Sequence, residues 1–142
     1  MRALLDVNVL IALFDPDHVH HVRAWRWFER QSARGWASCP ITQNGCVRVM
    51  SQPGYPNPLP AGSVVHRLAR ATSSPEHEFW PDDLSLLDTQ RFDHSRVVGH
   101  RQITDLYLLG LAVARGGCLA TFDGGVPLSA VHGARAGQLV VV

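Results

Sequence analysis

The sequence predicts an α/β fold, built on a mostly parallel central sheet with helices packed against it. Short apolar runs of strand length alternate with longer segments of helical periodicity, and residues that start or end helices separate them. The chain has 142 residues, of which 46% are apolar and 18% are charged, which is the size and composition of an ordinary globular domain. We therefore expect residues 1–142 to form a single domain with one core.

The first half of the chain contains two predicted strands, each followed by helical segments. A proline between two acids, in Asp15-Pro16-Asp17, predicts the turn before the second helix, and Gly35 predicts the end of that helix. Pro40 ends the second strand, and Thr42 is the expected N-cap of the helix that follows. In order, the predicted elements are a strand at Arg2–Leu5, helices at Asn8–Phe14 and His18–Arg34, a strand at Trp36–Cys39 and a helix at Gln43–Met50.

The second half begins after a proline-rich connector, Gln52–Pro60. Thr104 is the expected N-cap of a strongly apolar helix, which ends at Gly116 and Gly117. The stretch 81–102 has a mixed pattern that defines no element. In order, the predicted elements are a helix at Ala61–Ala71, a strand at His77–Trp80, a helix at Asp105–Arg115, and strands at Cys118–Phe122 and Gln138–Val142.

The helix predicted over His18–Arg34 carries a basic stripe. At about 100° per residue its arginines share one narrow arc, and its apolar side chains point to the other side. Such a stripe is compatible with a solvated outer face and with a surface that holds phosphates or stacks on bases. Three histidines near its start do not share one helix face, so we do not expect them to bind a metal together. The arginines are Arg23, Arg26, Arg30 and Arg34, and the histidines are His18, His20 and His21.

The composition excludes several functional classes. The formal net charge is +1, so no strong overall field attracts nucleic acid. All 13 basic residues are arginines, which excludes Schiff-base and P-loop chemistry because both need a lysine amine.

Cys39, Cys46 and Cys118 form no CxxC pair or zinc motif, so we expect buried thiols in a cytoplasmic protein. Asp6 interrupts the first apolar run and no run approaches the roughly 20 residues of a membrane span, so we expect no membrane insertion.

Three aspartates follow strands or begin a helix. Asp6 and Asp123 end predicted strands, and Asp105 begins a predicted helix. Because ligands gather at the carboxyl ends of parallel strands, we expect the three to face one cleft. Clustered carboxylates repel one another unless a cation neutralises them, and Mg²⁺ or Mn²⁺ favours such oxygen ligands and can support phosphodiester hydrolysis. Taken singly, each aspartate can also be a helix cap or a turn former.

Four segments extend this argument: LLDVNVLIALFD, PITQNGCVRVMS, ITDLYLLGLA and LATFDGG. In their order and approximate spacing they resemble PIN domains, and together they resemble the VapC-type ribonuclease toxins of bacterial toxin–antitoxin pairs. The resemblance spans most of the chain. It implies a PIN-like three-layer α/β/α fold and a metal-dependent endoribonuclease that acts as a toxin.

Carried over by position, the resemblance implies three metal-binding acids and three supporting side chains. The acids are Asp6, Asp105 and Asp123, and the supporting side chains are Asn8, Thr104 and Thr121. Asn8 would orient the carboxylate of Asp6. The chain departs from the family at Gln43, a catalytic position where glutamate is usual. Glutamine keeps a carbonyl oxygen but lacks the charge, so we expect weaker binding of a second metal ion.

The resemblance also implies partners. They are a cognate antitoxin laid across the early helices, an RNA substrate such as tRNA or a structured ribosomal loop, and a second copy of the chain in a homodimer. One alternative is a catalytically weakened PIN-fold module that binds RNA or antitoxin without cutting, which Gln43 would permit. A phosphatase of the haloacid dehalogenase kind is disfavoured, because it needs an aspartate where Asn8 stands and a downstream lysine, which the chain lacks.

Overall fold

A computed structural model describes residues 1–142 and confirms the α/β prediction. Five strands form one sheet in the order β3-β2-β1-β4-β5, and every neighbouring pair is parallel. The sheet was expected to be mostly parallel, and it is entirely so. The strands are β1 at Ala3–Leu5, β2 at Trp36–Ser38, β3 at His77–Phe79, β4 at Cys118–Thr121 and β5 at Leu139–Val141.

Helices cover both faces of the sheet. The α-helices are α1 at Val7–Phe14, α2 at His21–Gln31, α3 at Pro40–Met50, α4 at Ala61–Thr72 and α5 at Ile103–Ala114. Ala3 and Leu5 of β1 pack with α1 to α4, whereas Leu4 packs with α5 on the other face. This alternation follows from the period of two along a strand, and it produces the three-layer α/β/α arrangement. None of the helices is long and apolar enough to cross a membrane.

Three helices begin two or more residues away from the predicted starts. The second helix begins at His21, because His18 and His20 lie in a turn where His18 Nδ1 accepts the backbone N–H of His20 at 3.0 Å. Helix α3 begins at Pro40, since proline is well tolerated at the first helical position. Thr42 is therefore not the N-cap: its Oγ1 accepts the N–H of the true N-cap, Cys39, at 3.0 Å.

The start of α5 also differs from the prediction. Gln102 is its N-cap, and Thr104 is the exposed second residue of the helix, so the expected cap at Thr104 is wrong.

In the region of mixed pattern before α5, the ring of Phe92 is almost fully buried against Gly110. A Cβ at residue 110 would collide with that ring, so the glycine permits the close approach of loop and helix.

The cysteine prediction is confirmed for burial. All three cysteines are free and buried, and burial raises the pKa of the Cys39 thiol to about 11 and that of Cys46 to about 12. Such thiols remain protonated at neutral pH and are poor nucleophiles.

Candidate active site

Three carboxylates lie at the carboxyl edge of the neighbouring strands β1 and β4. Asp6 directly follows β1 and is the N-cap of α1. Asp123 lies two residues beyond the end of β4, and Asp105 lies in the first turn of α5. The parallel pairing of β1 with β4 brings the two strand ends to one edge, as the sequence pattern predicts.

Asp6 is held in one orientation by two donors. Its Oδ1 accepts the backbone N–H of Val7 at 2.7 Å, and its Oδ2 accepts the hydroxyl of Thr121 at 2.9 Å. The residue is only 6% exposed. Burial raises the pKa of the Asp6 carboxyl, the two hydrogen bonds lower it in part, and the charge of Asp123 adds to the rise. The rigid carboxylate is thus ready to accept a further cationic or donor partner.

Thr121 connects Asp6 to Asp123. Its buried hydroxyl donates to Asp6 and accepts the backbone N–H of Asp123 at 3.1 Å. The exposed carboxylate of Asp123 in turn accepts the N–H of Gly125 at 2.7 Å through Oδ1. One threonine side chain therefore sets the position of two acids relative to each other.

Asp105 lies close enough to Asp6 and Asp123 for their charges to affect its carboxyl. Its side chain is half-buried, and burial together with the charges of Asp6 and Asp123 raises the pKa of its carboxyl to about 6. No three histidine, cysteine, aspartate or glutamate side chains lie close enough to hold one ion directly together. The all-oxygen donor set fits a hydrated Mg²⁺ or Mn²⁺, since such ions keep several waters and need only one or two carboxylates.

No pattern in the sequence identifies Gln102, which joins the two loops of the site. Its Nε2 donates to the carbonyl of Gly125 at 2.8 Å, so the N-cap of α5 is tied to the turn that holds Asp123. Its Oε1 is buried and has no hydrogen-bond partner. That free carbonyl oxygen is a further acceptor beside the acids, where a metal-bound or free water could satisfy it.

Two of the expected supporting residues make no hydrogen bond to the acids. Asn8 is exposed, and the hydrogen bonds that orient Asp6 come from Val7 and Thr121. Thr104 is exposed and is not hydrogen-bonded to an acid. The roles of Asn8 and Thr104 beside the acids therefore stay predictions.

Gln43 makes no hydrogen bond to the acids. Its Nε2 donates to Ser38 Oγ at 2.9 Å, and that hydroxyl is bonded to His77 Nε2 at 2.8 Å. Beyond this contact, Gln43 lines a surface hollow with Leu68 and Thr72 of α4. The reason is the early start of α3: residue 43 is the fourth residue of the helix and not the first, so its side chain faces α4.

Comparison with known proteins agrees with this architecture. Residues 3–131 match the PIN domain. The chain is 54% identical over 142 residues to Ribonuclease VapC44 of Mycobacterium tuberculosis, and the match covers 100% of both chains. It is 46% identical over 134 residues to Ribonuclease VapC39 of the same organism, covering 94% of this chain and 96% of the relative. For Ribonuclease VapC38 the identity is 43% over 125 residues, with 87% and 86% covered.

Proposed function

The chain belongs to the PIN-domain family, within which its relatives are VapC ribonucleases, and on that premise we propose that it is an endoribonuclease toxin that hydrolyses RNA with Mg²⁺ or Mn²⁺. The observation that carries the proposal is the half-buried Asp105, whose carboxyl has a pKa raised by burial and by the charges of Asp6 and Asp123. Three acids that disfavour one another's charge are expected where a cation compensates for it. We assign the metal to Asp6, Asp105 and Asp123.

The residues of the chain prepare the site for this reaction. Thr121 and the N–H of Val7 hold Asp6 in place, so little reorganisation is needed when a ligand binds. Asp105 and Asp123 would add negative charge that holds the cation in the site. When bound, a divalent cation supplies a Lewis acid for the phosphoryl oxygens and makes water more acidic. Water then adds to phosphorus, and the ribose oxygen leaves with a proton, without a covalent enzyme intermediate.

We also propose a cognate antitoxin, encoded beside this gene, as the regulator of the activity. The exposed arginines of α2, from Arg23 to Arg30, lie on an early helix that such a partner could cover. A homodimer in the cytoplasm, with tRNA or ribosomal RNA as target, completes the proposal. Co-expression with either flanking gene is expected to relieve growth arrest, and the purified pair is expected to form a stable complex. If neither product binds, the toxin assignment fails and the nuclease assignment is unaffected.

The non-cutting alternative is less well supported. It depends on the missing charge at Gln43, but the amide of Gln43 donates to Ser38 and makes no hydrogen bond to the acids. The remaining acids are those that the metal assignment requires.

RNA cleavage by the purified protein tests the proposal. Cleavage is expected with Mg²⁺ or Mn²⁺, to stop in excess EDTA and to be unaffected by reducing agents. Asp6→Asn, purified in the same way, is expected to abolish cleavage while the protein stays folded. Asp17→Asn is the matched control, since Asp17 is exposed and its carboxylate makes no hydrogen bond. Cleavage that persists in EDTA, or in the Asp6→Asn protein, would contradict the proposal.

A further inference from the structure

An aromatic and cationic cluster surrounds Phe122, the residue between Thr121 and Asp123. The rings of His18 and His20, from the turn after α1, lie 6.3 and 4.7 Å from the Phe122 ring, centroid to centroid. The guanidinium carbon of Arg23 lies 5.6 Å from the same centroid. We call Phe122, His18, His20 and Arg23 the Phe122 cluster. Its three rings are partly exposed and Arg23 is exposed.

The fold leaves the polar groups of Arg23 unused. The protein's salt bridges involve Arg2, Arg96 and Arg115, and the Arg23 side chain makes neither a salt bridge nor a hydrogen bond within the protein. A guanidinium that lies against an aromatic ring keeps its N–H donors free for an anionic or polar ligand. The arginine therefore combines a flat face against Phe122 with N–H donors that no group of the protein uses.

The histidines add further flat surfaces. Burial and the neighbouring His20 lower the pKa of His18, which favours the neutral imidazole. The planes of His18 and Phe122 are nearly parallel, with 15° between them. Neutral aromatic planes in this arrangement offer stacking surfaces more than charge.

We propose that the Phe122 cluster is the subsite for an unpaired nucleotide adjoining the bond cut at the acids, with the base stacked on its rings and Arg23 bound to the neighbouring phosphate. This inference rests on the proposed ribonuclease function. Phe122 is separated by one peptide bond from Asp123, and adjacent Cα atoms are about 3.8 Å apart, so a base held there belongs to a nucleotide next to the scissile phosphate. A base inside a duplex has no free face, so the subsite selects single-stranded RNA or loops.

The test compares Phe122→Leu and Arg23→Lys with Arg26→Lys. Leucine keeps the apolar bulk without the ring, and lysine keeps the charge without the plane. Arg26 is an exposed arginine on the same helix with no aromatic partner, and it is the matched control. Affinity is measured in EDTA with short single-stranded RNAs that carry 2-aminopurine, whose fluorescence is quenched by stacking. Cleavage of the same RNAs is measured with Mn²⁺.

Phe122→Leu is expected to bind RNA roughly 5- to 100-fold more weakly and to lose the quenching, because stacking on an aromatic ring is lost. Arg23→Lys is expected to bind several-fold more weakly and Arg26→Lys within about twofold of wild type. In a second RNA, the nucleotide whose 2-aminopurine fluorescence is quenched is replaced by an abasic one. Wild type and Phe122→Leu are expected to bind this RNA with equal affinity. A structural defect in the variant would weaken its binding to both RNAs. Melting temperatures identify any loss of folding, and Arg23→Lys provides a second comparison because it leaves the core unchanged.

The outcomes separate the two proposals. If wild type cuts RNA and both cluster variants bind and cut like Arg26→Lys, the subsite is overturned and the ribonuclease function stands. If wild type binds RNA with quenching but never cuts it, the ribonuclease function fails, and with it the placement of the subsite beside a cut bond. Weakened binding of the antitoxin with unchanged binding of RNA would identify the cluster as a protein contact and overturn the subsite. If no RNA binds, both are overturned.

Discussion

Replacing Asp105 with asparagine is expected to stabilise the metal-free protein at neutral pH. Folding places this carboxyl in a half-buried position near the charges of Asp6 and Asp123 and raises its pKa from 3.8 to about 6. At pH 7 the folded protein must therefore carry a charge that its surroundings disfavour. Asparagine has nearly the same shape and carries no charge, so the substitution removes that cost.

The size of the effect follows from the change in proton affinity. A rise from 3.8 to about 6 corresponds in full to about 3 kcal/mol. Solvent screening of a half-buried group reduces this to about 1–2 kcal/mol. A charged aspartate in the first turn of a helix is also favoured by the helix dipole by about 0.5 kcal/mol, which asparagine loses. The net gain is about 1 kcal/mol, or a rise in melting temperature of about 3–5 °C for a chain of this length.

The pH dependence has a definite sign. Between pH 3.8 and about 6 the folded wild type binds a proton that the unfolded chain has lost, so the stability of the wild type falls as pH rises through this window. The Asp105→Asn variant has no group at this position that titrates there. The stability difference between variant and wild type is therefore small near pH 4, grows up to about pH 6, and is constant above about pH 7.

Urea unfolding and thermal melts in EDTA, at several pH values, measure this difference. Asp17→Asn is the control, because the Asp17 carboxylate is exposed. Added Mg²⁺ is expected to stabilise wild type more than Asp105→Asn, because the variant lacks one of the acids that bind the ion. A variant that is less stable than wild type in EDTA at pH 7, or a difference that does not change with pH, would show that the Asp105 charge does not destabilise the folded protein.

Three further substitutions test other parts of the structure. Thr121→Val removes the hydroxyl that holds Asp6 and is expected to lower kcat/KM for RNA by roughly 10- to 100-fold, with most activity kept in Thr121→Ser; equal rates for the two variants would contradict this role. Gln43→Glu is expected to leave Mn²⁺ affinity in calorimetry unchanged, because residue 43 contacts Ser38; tighter binding would show that the side chain reaches the acids. Gly110→Ala is expected to cost roughly 1–3 kcal/mol in urea unfolding, since its Cβ collides with a buried ring; wild-type stability would rule out that close packing.

Helix starts show where sequence-based prediction reached its limit. Apolar periodicity predicts all five strands and all five α-helices, but the N-caps that it predicts at the hydroxyl residues Thr42 and Thr104 are wrong. The true caps, Cys39 and Gln102, are not typical cap residues, and their backbones are positioned by the strand and the turn that precede them. The early start of α3 changes the direction of the Gln43 side chain, which borders α4 and donates to Ser38, because each residue of displacement rotates a side chain by about 100°.

Local composition is enough to predict that two apolar strands end near Asp6 and Asp123, and the parallel sheet that alternating strands and helices require is enough to predict that these ends share one sheet edge. Which side chains hydrogen-bond to the acids depends on tertiary packing. The Thr121 to Asp6 bond joins residues 115 positions apart, and the Gln102 to Gly125 bond depends on how α5 is placed against the loop after β4. The assembly of His18, His20 and Arg23 around Phe122 depends in the same way on two distant segments meeting. Such contacts depend on strand register and layer packing, which bring together residues that share no local sequence pattern.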